Sequence, residues 1–381
     1  MDKVNFAIVV TAYNRAEPLT KLLESLSQIK TQYYSIPLII SIDNQGTSEV
    51  NKVAKEFEWK YGEKQVVIHS EKKGLRAHFI WAGDQTEKFD NVLFLEDDLY
   101  VSPYVVDFVE FVIKKYENDE RISAASLYNP ILCEFDKTKF YQYQDGYDNY
   151  FFQHPYWGNV WFKEPWKEFK KWLKNYKYVP EKLPENVQNW KETSFKKLYV
   201  QYLIEMNRYV VYPRVSYVTN MGETGLHSKF DFNQFQTVVQ QGKALFNYSS
   251  FDESDCVYDA FFEMSSHVIK KLNPELNNYD FVMDTRGLHS YYGTEYTLTS
   301  RKTTHAVKTF GKRFRPVETN VILNCKGNGL SLSKVEDIIY DSNFEKHYIV
   351  NDVLHNNYNL GLKEVWACFF HTIKEKILKK M

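Results

Sequence analysis

A chain of 381 residues is long enough to bury a core and to hold two domains, or one domain with a large appendage, and its net charge of −1 excludes nucleic-acid binding driven by bulk positive charge. Its cysteines, Cys133, Cys256, Cys325 and Cys368, stand too far apart for a metal-spaced pair, which suits a reducing compartment. No stretch reaches the roughly 18 apolar residues of a membrane span, and Met-Asp-Lys-Val runs straight into a strand pattern without a signal peptide, so the chain is expected to be cytoplasmic.

Val4 to Thr11 is a short apolar run followed by Ala-Tyr-Asn-Arg, closing on Arg15. Pro18 then opens a helix carrying Leu19, Leu22, Leu23, Leu26 and Ile29 at helical spacing. Pro37 to Ile42 reads as a second strand ending in Asp43-Asn44-Gln45-Gly46, with a helix after it on Val50, Val53, Ala54 and Phe57. Val66 to His69 reads as a third strand, and Lys73 to Phe89 as a helix with Leu75, Phe79 and Ala82 along one face. Val92 to Leu95, four apolar residues in a row, suits a strand covered on both sides.

That strand runs into Glu96, Asp97 and Asp98. Three adjacent carboxylates at the end of a buried strand repel one another and lose solvation, which is costly unless a cation or a donor-rich ligand is present. Oxygen-only ligands suit a hard divalent ion, Mn2+ or Mg2+, and a diphosphate would complete its shell. In an extended chain Glu96 and Asp98 point to one side and Asp97 to the other. The plainer reading is an acidic turn capping the helix expected from Pro103 to Tyr116. Ile122 to Leu127 is a further strand. Strands alternating with helices in this way mean an α/β fold with a mostly parallel sheet, whose ligands sit at the carboxyl ends of the strands, where Arg15, Asp43 and Glu96 to Asp98 converge. Neither Gly-x-Gly-x-x-Gly nor a P-loop pattern occurs, so phosphate charge is expected to be met by a metal and by Arg15.

Asp136 to Pro155 is polar and aromatic and reads as a loop or hairpin rather than core. Trp157, Trp161 and Trp166 could floor a sugar site or pack as an aromatic cluster, and Tyr 29, Phe 27 and Trp 8 in the composition fit either use. Helices are expected from Pro165 to Asn175 and from about Ser194 to Met206, with Tyr209 to Val218 strand-like. Asn220 to Ser228, with Gly222, Thr224, Gly225 and His227, is either a donor-rich segment that folds over a diphosphate or a plain surface loop. Gln236 to Leu272 reads as helical and Tyr279 to Val282 as strand. Arg301 to Pro316 is basic, a solvated face or a dock for an anionic acceptor. Leu362, Val365, Trp366, Phe369, Phe370, Ile373, Ile377 and Leu378 fall on one helical stripe, with Lys374, Lys376, Lys379 and Lys380 beside it or near its end. Such a helix lies on an anionic membrane surface, packs on its own domain or forms a dimer contact.

Taken in order, Ala-Tyr-Asn-Arg, Ser41-Ile42-Asp43, Arg76-Ala77-His78-Phe79-Ile80-Trp81-Ala82, Glu96-Asp97-Asp98, Ser126-Leu127-Tyr128-Asn129, Trp157-Gly158 and the Gly222 to Ser228 segment resemble the N-acetylglucosaminyltransferase I family of glycosyltransferases. The resemblance implies a GT-A, Rossmann-like catalytic domain over residues 1–235, with a nucleotide-sugar half (1–130) and an acceptor half (131–235). Residues 236–381 would be an accessory region ending in an amphipathic helix at about 362–380. It further implies that Arg15, Asp43 and His78 contact the nucleotide, with Glu96, Asp97 and His227 also at the donor. Asp98 would hold Mn2+ or Mg2+ between the phosphates of a UDP-sugar, and residues 220–229 would close over it.

The family's aspartate base falls at Gln188 or Asn189, which cannot take a proton, so Glu192, ahead of Glu185, is expected in its place. The implied activity is metal-dependent, inverting transfer of a sugar to a hydroxyl of a saccharide or lipid-linked saccharide acceptor, in bacterial surface polysaccharide synthesis at the inner face of the plasma membrane. Two rivals remain. A sugar nucleotidyltransferase normally begins with a glycine-rich basic loop, absent from Thr11 to Arg15. A non-catalytic nucleotide-sugar-binding scaffold would suit the missing aspartate.

Overall fold

The computed structural model describes residues 4–31, 35–44, 46–221, 234–290, 292–341, 343, 344, 348, 350 and 361–378. The chain begins β1 (Phe6–Ala12), α1 (Ala16–Ser27), β2 (Leu38–Ile42), α2 (Ser48–Glu56), β3 (Lys64–Ile68), α3 (Gly74–Asp84), α4 (Thr86–Phe89), β4 (Asn91–Glu96), β5 (Leu99–Val101), α5 (Val105–Tyr116) and β6 (Ile122–Ser126). It continues with β7 (Asn149–Phe152), β8 (Asn159–Phe162), α6 (Lys163–Lys174), α7 (Glu185–Gln188), α8 (Phe195–Glu205), β9 (Tyr209–Pro213), β10 (Val218–Asn220), β11 (Val257–Tyr258) and α9 (Ser266–Leu272). It ends with β12 (Phe281–Asp284), β13 (Tyr296–Thr299), β14 (Lys308–Phe310), α10 (Thr319–Ile322), β15 (Leu330–Lys334) and α11 (Leu362–Leu378). Two compact units divide it: Met1–Pro130, Gln142–Pro274 and His289–Tyr291 form the first, and Ile131–Tyr141, Glu275–Leu288 and Tyr292–Met381 the second.

The first unit is an α/β fold of the GT-A, Rossmann-like kind, a mixed sheet flanked by helices, with strand order β11-β7-β9-β6-β8-β4-β1-β2-β3. From β3 to β4 the pairings are parallel, while β8 runs antiparallel between β4 and β6. Every residue of β1, Phe-Ala-Ile-Val-Val-Thr-Ala, is buried, as a central strand with helices on both faces requires. α1 turns Leu19, Leu22, Leu23 and Leu26 inward, and Thr47 caps α2 by accepting from the Val50 amide at 3.3 Å. Register sets the working edge: Thr11 of β1 pairs with Ser41 of β2 on one side and Glu96 of β4 on the other. At the ordinary strand spacing, Ser41 and Glu96 stand about 10 Å apart across β1.

Aromatic residues build much of this unit, and they overturn two sequence expectations. Asn149–Phe152 is a fully buried strand rather than loop, because its rings supply what aliphatic residues usually do: Tyr150 stacks on Tyr212 at 5.3 Å and Phe152 meets Phe262 edge-on at 4.8 Å. Between 236 and 272 the only helix among the described residues is α9. The stretch ahead of α9 packs against α5, where Phe246 stacks on Phe111 at 4.5 Å and the Ser249 carbonyl accepts from the Tyr116 hydroxyl at 2.6 Å.

α3 presents His78, Ala82 and Gly83 inward, and Leu75, expected on that face, is exposed. Gly83 lies under the Trp166 ring, where an added Cβ would stand 2.0 Å from Cζ2. That ring is fixed by Trp161 at 4.6 Å and by its Nε1 donating to Asp84 Oδ1 at 3.0 Å, so it cannot step aside. Gly83→Ala is expected to cost about 1–3 kcal/mol of stability by overpacking, read as a lower urea midpoint with unchanged slope.

The second unit holds a four-stranded sheet in the order β12-β13-β15-β14. Arg286 joins Asp136 at 2.9 Å within it, both buried. α11 belongs to this unit by sequence, and residues 361–370 are exposed throughout.

Candidate functional site

Three parallel strands, β1, β2 and β4, end on one edge, and the chemistry-bearing residues follow them. Arg15 comes directly after β1 at the start of α1, and its guanidinium spans both aspartates: Nη1 lies 3.0 Å from Asp98 Oδ2 and Nη2 binds Asp97 Oδ1. The expected alternation therefore does not hold past Glu96. β4 ends there, and the turn before β5 brings Asp97 and Asp98 to the same cation.

Burial pushes the Asp97 carboxyl up to about 6 even though Arg15 pulls the other way, and burial followed by the charges of Asp98 and Asp97 pushes Glu96 up to about 8. The edge thus carries more acidic groups than its arginine neutralises. Among the described residues no group of three or more His, Cys, Asp or Glu side chains is arranged as a metal site. The donor set still fits a hard cation shared with a ligand: Asp97 and Asp98 already converge on a positive group, and the remaining oxygens would come from a diphosphate. Met221, at the end of β10, donates its amide to the Asp98 carbonyl at 3.0 Å, and the Gln236 side chain donates to the Met221 carbonyl at 3.0 Å. His227, expected between them, lies outside the described residues.

Beyond β2 a second cluster forms. Asp43 accepts the amides of Lys73 at 2.7 Å and Asn44 at 2.8 Å on one oxygen and that of Gly74 at 2.9 Å on the other. Burial works to raise this carboxyl, but the three amides outweigh it and hold it below the usual range. Two of those amides open α3, and Gly74 takes a φ of 68°, a left-handed conformation that glycine adopts without cost. One turn on, His78 meets the Ser41 hydroxyl through Nε2 at 2.7 Å, and His69 at the end of β3 reaches the same hydroxyl at 2.9 Å. Burial, then the neighbouring His69, lowers His78 to about 4, so it is neutral at pH 7. Trp81 lies edge-on to His69 at 4.9 Å. Two imidazoles, a hydroxyl and an indole are thus grouped beside Asp43 at this edge. Ser41 and His69 were not singled out from sequence as binding residues. Their signal was position, since each ends or follows a strand at the same edge as Asp43.

On the other side of β4 the three tryptophans separate. Trp161 and Trp166 are core, Trp161 stacking on Phe94 at 4.6 Å, which removes both from a sugar floor. Trp157 stays half-buried, 5.0 Å from Tyr128 and 5.9 Å from Phe235. Lys196 lies over the rings of Tyr156 at 4.2 Å and Trp190 at 5.1 Å. Glu192 is exposed and binds the buried Lys197 ammonium at 2.7 Å; the same ammonium donates to the carbonyls of Gln188 at 2.8 Å and Trp190 at 3.1 Å. Lys197 keeps the Glu192 carboxyl below its ordinary value. Glu185 opens α7 on the exposed surface. A cavity of about 770 Å³ lies elsewhere, at the starts of β1 and β4, lined by Asn5, Asp90, Asn91, Lys114 and Lys163 among others, and takes in none of these side chains.

Residues 7–182 match a family model described as glycosyl transferase family 2. Over 141 residues the chain is 29% identical to an alpha-1,3-mannosyl-glycoprotein 2-beta-N-acetylglucosaminyltransferase of Arabidopsis thaliana, an alignment covering 32% of this chain. That alignment spans 31% of the relative's own length. Among solved structures, residues 1–349 of S. aureus TarS in complex with UDP-GlcNAc share 16% identity at a TM-score of 0.37, covering 59% of this chain and 60% of that one. The mannosyltransferase PcManGT from Pyrobaculum calidifontis, in complex with GDP-Man and Mn2+, shares 12% identity at a TM-score of 0.35, covering 55% and 57%. The family match is thus to the broad family 2, coarser than the N-acetylglucosaminyltransferase I family that the motifs resemble.

Proposed function

We propose that this chain, classed as a glycosyltransferase by the family model it matches, moves a sugar from a UDP-sugar to a hydroxyl of a saccharide acceptor in a metal-dependent, inverting reaction. The observation that carries the reading is the convergence of Arg15, Asp97 and Asp98 on the sheet edge that also holds the Asp43 and His78 cluster. Asp98, with Asp97 beside it, would hold Mn2+ or Mg2+, which when bound neutralises the departing diphosphate as a Lewis acid. Arg15 supplies a fixed positive charge to the same group without reorganising during the reaction. His78, held beside the Ser41 hydroxyl, would contact the nucleotide together with Asp43. Glu192, kept anionic by Lys197, is the favoured base for the acceptor hydroxyl, ahead of Glu185. Trp157 offers the acceptor ring a face.

The acceptor would be a saccharide or lipid-linked saccharide of a bacterial surface polysaccharide, met at the inner face of the plasma membrane, with no nucleic acid involved. A scaffold that binds the donor without transfer is the second reading, favoured by the ion pair that occupies Glu192.

A panel of UDP-, GDP-, CMP- and dTDP-sugars with Mn2+ tests the donor. Ligand at a hundredfold excess over its dissociation constant adds about 2.7 kcal/mol, so one UDP-sugar is expected to raise the melting temperature by about 3 °C. Release of UDP on adding saccharide acceptors then separates transferase from scaffold. A panel in which no nucleotide sugar moves the melting temperature defeats both readings.

A further inference from the structure

We propose that α11 is an interfacial anchor that lies in the plane of a bilayer rich in anionic lipid, with its aromatic stripe at the headgroup boundary and lysines on both flanks facing lipid phosphates. This deepens the membrane location given above and rests on that reading for its biological place, though not on any step of sugar transfer. Trp366, Phe369 and Phe370 are 54%, 52% and 63% exposed, and Leu362 78%, an apolar surface that a water-facing helix rarely keeps. The three rings lie 5.7–5.8 Å from one another and make one continuous face.

Charge follows the stripe. At 3.6 residues per turn, Leu362, Trp366, Phe369, Phe370, Ile373 and Ile377 share one side of the helix. Counted along the sequence at about 100° per residue, positions 363 and 374 border the stripe on one side and position 376 on the other, while positions 364 and 375 lie opposite it. Basic borders with acids turned away are what an anionic surface attracts, and tryptophan with phenylalanine suits the depth between water and acyl chain. A second copy of the chain is the less favoured occupant. Helices paired along such a stripe need flanking positions of opposite sign, and here both flanks carry lysine. Among the described residues no helix is long and apolar enough to cross a membrane, and the 17 residues of α11 span about 26 Å.

Sedimentation of the full chain with phosphatidylcholine vesicles, with and without about 30% phosphatidylglycerol, tests this. The chain is expected to pellet with the anionic vesicles only. Trp366→Ala, Phe369→Ala and Phe370→Ala combined should weaken partitioning at least tenfold, and Lys363→Glu with Lys374→Glu should weaken it about fivefold or more per lysine and remove the preference for anionic lipid. Two results overturn the proposal: equal or absent binding to both vesicle types, or a parent chain that is dimeric by light scattering and becomes monomeric in the aromatic variant. An unchanged melting temperature and donor-induced shift in each variant would show that the fold is intact. Because the vesicles carry neither donor nor acceptor, the outcome is independent of whether transfer occurs.

Discussion

Asp98→Ala is expected to abolish sugar transfer while leaving the protein as stable as the parent, or slightly more so. Asp98 is one of two carboxylates on the Arg15 guanidinium, and with it gone Asp97 still pairs the arginine. Its charge is also, after burial, the largest cause holding Glu96 up near 8, so removing it relieves repulsion in a half-buried acidic edge. A side chain whose only work is structural would show the reverse, loss of stability with activity to match. Loss of at least a thousandfold in kcat/KM, about 4 kcal/mol of transition-state stabilisation, is the size set by an electrostatic group at a departing diphosphate. The accompanying sign is thermal: Mn2+ with a UDP-sugar should raise the melting temperature of the parent and not that of the variant. Turnover within tenfold of the parent would remove Asp98 from the site, and a variant that melts far below the parent would make it a brace rather than a ligand.

How legible this was in the sequence differs from one element to the next. β1 and β4 could be read directly because central strands covered on both faces leave no polar register and become unbroken apolar runs. The joint grip of Arg15 on Asp97 and Asp98 could not be read, since it depends on β4 stopping at Glu96 and a turn following, a backbone event with no period. β7 was hidden for a different reason. Asn-Tyr-Phe-Phe has neither alternation nor aliphatic residues, and only its partners Tyr212 and Phe262, far along the chain, make it core. The same long-range packing moved Trp161 and Trp166 from a possible sugar floor into the core. His78 was singled out by its resemblance to a family motif, while its lowered proton affinity comes from burial and then from His69, and those are facts of the fold.

Asp43 poses the sharpest separation of structure from ligand binding, and Asp43→Ala is expected to lower stability by about 2–4 kcal/mol and donor affinity by at least tenfold. Hydrogen bonds to an ionised acceptor contribute about 1.5–3 kcal/mol each, and three that share one carboxylate add less than their sum because the freed amides of Asn44, Lys73 and Gly74 partly recover water. The carboxylate also sits against the first turn of α3, where negative charge is favourable, so its loss frays the start of the helix that carries His78. The pH dependence follows from the direction of the shift. The folded-state carboxyl is held below its ordinary value, so its contribution is fully present above the unfolded pKa, about 3.9, and is lost as pH falls through the folded one. Urea denaturation should therefore show the full gap between parent and variant at pH 7 and at pH 5, and a narrowing gap below about pH 4. Asp43→Asn should fall between them, since one oxygen still accepts but the amide nitrogen opposes a backbone donor. A variant that keeps its stability at pH 7 yet loses the donor would make Asp43 a contact for the nucleotide and not the brace of α3.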